Sequence, residues 1–268
     1  MLAYFSVVSD GRTLRGVGHI PDGDNHELRG AGQIPDNSSK YPCLILMHGL
    51  TGNRNERMLV NISRKLEENG VASLRFDFNG HGESEGRPED VTVASEVDNL
   101  WDIYQFAKGL PFVDPDQIYV GGHSVGGLDA VLLAAEHPDE VKKLVLISPA
   151  LTTYHELAEL LYGDMLTEVL ENHRVPLGSF NVGQAMLEET AKINGFETAS
   201  HIQPEALLIH GRMDRDTPAY NSVMLKKIWG ERAALRLIEG ADHCYQSDEA
   251  NRLLSDSIAE YIVNRRKL

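Results

Sequence analysis

From residue 40 onward, two hydrophobic patterns take turns along the chain: short unbroken apolar runs, and longer stretches in which apolar residues recur every three or four positions. The short runs are Cys43–Met47, Val71–Phe78, Gln117–Val120, Lys143–Ile147, Ala206–Ile209 and Ala234–Ile238. An unbroken run suits a strand covered on both faces, so these runs predict a mostly parallel sheet. The longer stretches, Glu56–Glu68, Thr92–Ala107, Val125–Glu136, Tyr220–Trp229 and Asp248–Arg265, have the helical period. Strand and helix in alternation predict an α/β protein with helices on both faces of a central sheet.

The spacing departs from this rhythm in two places. Near the start, Leu14-Arg-Gly-Val-Gly-His-Ile-Pro-Asp22 recurs as Leu28-Arg-Gly-Ala-Gly-Gln-Ile-Pro-Asp36, and the Asp22-Gly-Asp-Asn25 stretch between the copies predicts an N-terminal β-hairpin. The preceding run, Leu2–Val8, reads as an edge strand. The repeat's GxG opens no helix and has no Lys-Ser/Thr pair after it, so a phosphate loop is not expected. Later, more than fifty residues separate the strand near Ser148 from the one near Glu205, too many for a simple crossover. Leu157, Leu160, Leu161, Met165, Val169 and Leu170 share one helical face there, which predicts an inserted cap with helices of its own. The expected organisation is a main domain of residues 1–150 and 204–268 and a cap of residues 151–203. The cap is expected over the carboxyl ends of the strands, the edge where open α/β sheets bind ligands.

Composition narrows the function. A chain of 268 residues with 42% apolar and 24% charged positions can bury one substantial core. Forty acidic against 25 basic residues give a net charge of −15, the wrong balance for neutralising phosphates, so nucleic acid is not an expected partner. An acidic surface also repels anions within a screening length of about 8 Å. Cys43 and Cys244 form no CxxC or metal-ligand spacing and read as reduced thiols. The N-terminal apolar run has no basic leader and is too short to span a bilayer, so a cytoplasmic protein with no membrane partner is expected.

The chemistry lies in the loops after the strands. Gly122-His-Ser-Val-Gly126 fits G-x-S-x-G; alone the match is weak, but it follows the strand Ile118–Val120 and opens a helical run. That is the context of a nucleophile elbow, a strained strand-to-helix turn that lifts a serine hydroxyl into a site. Ser124 is therefore the candidate nucleophile. The backbone N–H of Val125, at the helix N-terminus, is a candidate oxyanion donor. A second donor is expected from the loop Met47-His-Gly-Leu-Thr-Gly52, with Leu50 the candidate for both the N–H and a side chain lining the acyl pocket. His243 follows the last strand in Glu239-Gly-Ala-Asp-His243 and is the candidate general base. Its carboxylate partner comes from Ile209-His-Gly-Arg-Met-Asp-Arg-Asp-Thr-Pro218, where Asp214 and Asp216 compete. His48, His81, His123 and His210 are expected to stabilise loops or pack. No metal and no cofactor are expected.

Taken together, His48-Gly-Leu-Thr-Gly-Asn-Arg-Asn55, Ser73-Leu-Arg-Phe-Asp-Phe-Asn-Gly-His-Gly-Glu-Ser-Glu-Gly86, Gly122-His-Ser-Val-Gly-Gly127, His210-Gly-Arg-Met-Asp214 and Glu239-Gly-Ala-Asp-His-Cys244 resemble the bacterial cinnamoyl (feruloyl) esterases of the α/β-hydrolase superfamily. The likeness runs from about residue 40 to the C-terminus and is strongest outside the cap. It implies the α/β-hydrolase fold, Ser124, Asp214 and His243 as a catalytic triad, Leu50 and Val125 as oxyanion donors, and a cap that forms the aromatic-acid pocket. Two positions depart from the family pattern: Val125 stands where a Gln is common, and Leu50 where a Phe is common. Backbone donors survive both changes, whereas the shape of the pocket is altered. Within the cap, Tyr154, Tyr162 and Asp164 are candidate substrate contacts on composition alone. The expected partner is a small-molecule ester, probed against three rivals on the same residues: a general carboxylesterase, a monoglyceride lipase or a peptidase. A non-catalytic binding protein on the same scaffold is the rival of a different class, and a homodimer is left open.

Overall fold

The computed structural model describes residues 1–21, 40–152, 171–178 and 180–266. Eight strands form one sheet: β1 (Leu2–Ser9), β2 (Arg12–His19), β3 (Tyr41–Met47), β4 (Ala72–Phe76), β5 (Val113–His123), β6 (Lys143–Ile147), β9 (Glu205–Gly211) and β10 (Ala233–Ile238), in the order β1-β2-β4-β3-β5-β6-β9-β10. β1, β2 and β4 pair antiparallel, and every other neighbouring pair is parallel. All six apolar runs read from the sequence are strands of its parallel part.

The unbroken runs have a simple cause. On β3, Cys43, Ile45 and Met47 enter one apolar cluster while Leu44 and Leu46 enter another. β6 and β9 divide in the same way, with Leu144, Leu146, Ala206 and Leu208 on one side and Val145, Ile147, Leu207 and Ile209 on the other. Helices α1 (Arg57–Glu68) and α7 (Asp248–Arg266) pack together on one face. α2 (Val93–Lys108), α3 (Val125–Glu136) and α6 (Tyr220–Trp229) contribute to the cluster on the other. The start of α2 is fixed locally by a reciprocal cap: the Ser95 N–H donates to Thr92 Oγ1 at 3.1 Å, and the Thr92 N–H donates to Ser95 Oγ at 3.0 Å.

The N-terminal hairpin is present, but it turns elsewhere than the repeat suggests. β1 pairs with β2 through a two-residue turn at Asp10-Gly11, whose φ values are 44° and 73°. Positive φ at both positions is the geometry an Asp-Gly pair supplies. Residues 16–19 of β2 bond to β1 on one edge and to β4 on the other, so that stretch has no free edge for the second copy of the repeat. The Asp22–Asn25 turn and the second copy lie outside the described residues. β1 alternates between buried Ala3, Phe5 and Val7 and exposed Leu2, Tyr4 and Val8, as an edge strand covered on one face should.

Between β6 and β9 the described residues contain a second, two-stranded sheet, β7 (Arg174–Leu177) with β8 (Phe180–Gly183), and two short helices, α4 (Gln184–Thr190) and α5 (Gly195–Ser200). α5 lies against α3 and α6, and the Trp229 indole N–H donates to the Ala199 carbonyl at 2.8 Å. β8 and α4 lean on the segment after β4: the Phe180 ring stacks on His81 at 4.4 Å, Asn181 donates to Glu89, and the Ala94 N–H donates to Glu189. The apolar face running from Leu157 to Leu170 lies outside the described residues. No helix among the described residues is long and apolar enough to cross a membrane.

Candidate active site

β3, β5, β9 and β10 run parallel, so the loops that follow them emerge at one edge of the sheet. Those loops carry Leu50, Ser124, Asp214 and His243 respectively. Ser124 is half-buried and sits between β5 and α3 with φ 57° and ψ −119°, a backbone conformation that an L-residue adopts only under constraint. The constraint is visible. The Ser124 N–H donates to the Ile147 carbonyl at 3.0 Å, and the Ser124 carbonyl accepts from Gly127 and Ala150, each at 3.0 Å. The two motif glycines meet across the turn, since a methyl group at Gly122 would lie 2.4 Å from the Gly126 oxygen and one at Gly126 would lie 2.5 Å from the His48 oxygen. Larger side chains would force strand and helix apart.

The β3 loop abuts this serine: a methyl group at Gly49 would lie 2.9 Å from Ser124 Cβ. Leu50 follows, half-buried against the core cluster, and Val125 is the buried first residue of α3. The loop is held by His48. Its Nδ1–H donates to the Gly49 carbonyl at 2.8 Å, and its Nε2 accepts the Phe78 N–H at 3.1 Å, which ties the β3 loop to the β4 loop. Burial pushes the His48 imidazole down to about 4, so this strut stays uncharged at neutral pH. After β4 the segment from Asp77 to Glu85 folds as a tight loop, closed by the Gly80 N–H donating to the Glu85 carbonyl at 2.9 Å. Asp77 accepts from the Arg54 backbone N–H and guanidinium and from the Glu83 N–H, and the Ser84 hydroxyl donates to the Asp77 carbonyl.

The two competing carboxylates stand differently in the structure. The side chain of Asp214 is fully buried, and its Oδ2 accepts from His243 Nδ1 at 2.8 Å, whereas Asp216 is exposed. Asp214 Oδ1 accepts the backbone N–H groups of Asp216 at 3.0 Å and Thr217 at 2.8 Å, while His210 Nε2 stands 3.2 Å from Oδ2. Burial alone would raise its pKa, but the hydrogen bonds from His210 and His243 and the charge of His243 outweigh it. The carboxylate is therefore held well below its usual range. His243 is slightly exposed, at 12% of its side chain, and so open to a ligand.

His123, the residue before the elbow serine, donates from Nε2 to the His243 carbonyl at 2.9 Å, with the two rings 4.4 Å apart. Burial and the neighbouring His243 push His123 down to about 3, which leaves it a neutral donor that fastens the β10 loop to the elbow. These roles match the loop-stabilising reading of the histidines. What the sequence reading missed is the bond from His210 to the acid, although position 210 lies only four residues from Asp214. Asp214, Asp216 and His243 also bring ligand atoms within 4.8 Å of one another, a composition a cation could use. Asp214 already accepts three hydrogen bonds and has His210 Nε2 at 3.2 Å, however, and the His243 nitrogen facing it is the one that donates, so the set fits a proton-transfer pair better. Cys244 is exposed and free, and Cys43 is free and buried in the core. Tyr154, Tyr162 and Asp164 lie outside the described residues.

A family model described as serine aminopeptidase, S33 (Hydrolase_4) matches residues 39–191. Among solved structures, Est1E from Butyrivibrio proteoclasticus with ferulic acid bound superposes with a TM-score of 0.83 at 27% identity, covering 98% of this chain and 100% of that one. Among curated proteins, the thiohydrolase aneE of Aspergillus aculeatus is 24% identical over 150 residues, 56% of this chain and 46% of the relative. Lipase 1 of Psychrobacter immobilis is 38% identical over 109 residues, 40% of this chain and 31% of the relative. The matched stretch thus spans less than half the length of either curated relative.

Proposed function

The chain belongs to the serine aminopeptidase S33 (Hydrolase_4) family and has the α/β-hydrolase fold, and from that premise we propose that it is a serine carboxylic-ester hydrolase acting through an acyl-enzyme. The observation that carries this reading is the buried Asp214–His243 pair at 2.8 Å, in a loop that His123 pins to the strained Ser124 turn. Ser124 is the nucleophile. His243 accepts its proton at Nε2 as Oγ attacks the ester carbonyl, and Asp214 holds the ring and stabilises the imidazolium. The N–H groups of Leu50 and Val125 receive the oxyanion, the alcohol departs with the proton from His243, and water activated by the same ring releases the acid.

Residues 151–203 act as the cap over this edge. The stacking of Phe180 on His81, itself beside His48, supports that placement of the described half. Tyr154, Tyr162 and Asp164 are proposed pocket residues. The substrate class is a hydroxycinnamate or a similar small aromatic ester, supported by the match to Est1E holding ferulic acid, and the acidic surface favours a neutral ester over a free acid. Cytoplasmic location belongs to the same reading.

The test is a side-by-side comparison of methyl ferulate, methyl p-coumarate, p-nitrophenyl acetate and a long-chain p-nitrophenyl ester, with wild type and Ser124→Ala. The first two should be preferred and the variant should be inactive while folded. Equal rates on all four would reduce the proposal to a general esterase, and retained activity in the variant would remove Ser124 from its role. The description of the matching family favours one further reading, an aminopeptidase. An aminoacyl p-nitroanilide added to the panel, cleaved faster than the esters, would select it.

A further inference from the structure

His210 lies at the end of β9, with a completely buried side chain. Its Nε2 faces two acceptors, Asp214 Oδ2 at 3.2 Å and the Thr217 carbonyl at 3.0 Å, so this nitrogen bears a hydrogen. Its Nδ1 hydrogen-bonds with the Ser222 hydroxyl on α6 at 2.8 Å, which fixes the plane of the ring. Thr217 is gripped at both ends of the residue: its N–H donates to Asp214 Oδ1 and its carbonyl accepts from His210. His210, Asp214 and Thr217 therefore close a small ring, and the one oxygen of Asp214 that meets His243 is also the oxygen His210 holds.

We propose that His210 is a positioning residue for the reaction, setting the orientation and the acceptor strength of the Asp214 carboxylate that holds His243. The inference rests on the reading of Ser124, Asp214 and His243 as a triad and adds to it a fourth side chain that never touches substrate. An N–H at Oδ2 draws off part of the negative charge that would otherwise act on the His243 ring. Without that donor the carboxylate is a stronger acceptor and stabilises the imidazolium more, so the protonated, inactive form of His243 persists to higher pH. The other ionisable groups within electrostatic reach are Glu56, His123, Asp216, Asp242, Cys244 and Tyr245. All of them are unchanged in the variants below.

The experiment compares wild type, His210→Met, which keeps bulk but has no donor, and His210→Gln, whose amide N–H can occupy the place of Nε2. The pH profile of kcat/KM for p-nitrophenyl acetate and the far-downfield proton NMR signal of the His243–Asp214 hydrogen bond are followed together. His210→Met should lower kcat/KM about tenfold, move the acidic limb to higher pH by roughly half a unit, and shift the titration of the NMR signal the same way. His210→Gln should restore both positions. Should the Met variant fail to fold, Ser222→Ala, which frees the ring from its second anchor, should give the same displacement in smaller degree. Activity loss with an unmoved limb and an unmoved NMR titration would overturn the proposal and leave His210 a packing residue. The NMR signal reads the Asp214–His243 bond directly, so it decides the role of His210 even in a protein inert toward every ester. Inert wild type would instead sink the functional reading.

Discussion

Glu56, the residue before α1, offers a stability test worked from its surroundings. Its Oε1 packs over Gly52, where a methyl group would lie 2.3 Å away, and its Oε2 is closed to solvent with no hydrogen-bond partner among the described residues. Burial raises this carboxyl from 4.5 to about 7, opposed only in part by the Asn53 N–H and the charge of His243. An acid whose folded pKa is raised contributes stability that is fully present below its unfolded pKa and is lost as the pH rises through the folded one. Here that window runs from 4.5 to about 7. Glu56→Gln imitates the protonated acid at every pH, so it removes the loss. At 1.36 kcal/mol per unit the full shift corresponds to about 3 kcal/mol, and the variant's advantage over wild type should widen by about 2 kcal/mol between about pH 5.5 and about pH 8.5. Partial solvent access of the side chain makes these upper figures. Urea unfolding of both proteins, followed by circular dichroism at the two pH values, measures the difference. A gap independent of pH, or one that closes as the pH rises, would refute the reasoning.

Two further outcomes follow from close contacts in the fold. Gly126→Ala places a methyl group 2.5 Å from the His48 oxygen, so the elbow must open; a loss of about 1–3 kcal/mol in thermal or urea unfolding is expected, with activity falling further than stability. Asp129 on α3 and Glu96 on α2 are buried carboxyls held above the usual range, both first by burial, then Asp129 by the charge of Glu96 and Glu96 by that of Glu189, with Glu96 at about 8. Asp129→Asn should therefore leave stability nearly unchanged at about pH 5 and raise it by about 1–3 kcal/mol at about pH 9. An alkaline loss instead, seen in the same unfolding assay, would show that the two groups are not in conflict.

Much of the fold is legible in the sequence because its determinants are local. Six strands and five helices follow from period and run length, since each strand's two buried faces leave no polar alternation to blur the signal. The hairpin shows the limit of self-similarity as a guide. Two copies of one motif suggested each other as partners, while the Asp10-Gly11 pair, with positive φ at both turn positions, makes the turn between β1 and β2. The elbow was readable because a strained turn demands particular small residues at fixed spacing. The choice between Asp214 and Asp216 was open on position alone, because both follow the same strand within two residues. In the structure His243 meets Asp214 and leaves Asp216 exposed, a pairing that depends on a contact spanning 29 residues. The burial of Glu56 near His243 was invisible for the same reason, whereas the contact of His210 with the acid spans only four residues and lay within reach of the spacing.

Identification by mass spectrometry of the residue modified by a fluorophosphonate probe bears most directly on the central claim. A single stoichiometric adduct is expected on the peptide containing Ser124, abolished in Ser124→Ala and strongly slowed in His243→Ala. An adduct on another serine, or hydrolysis that continues with Ser124 unmodified, would contradict that claim.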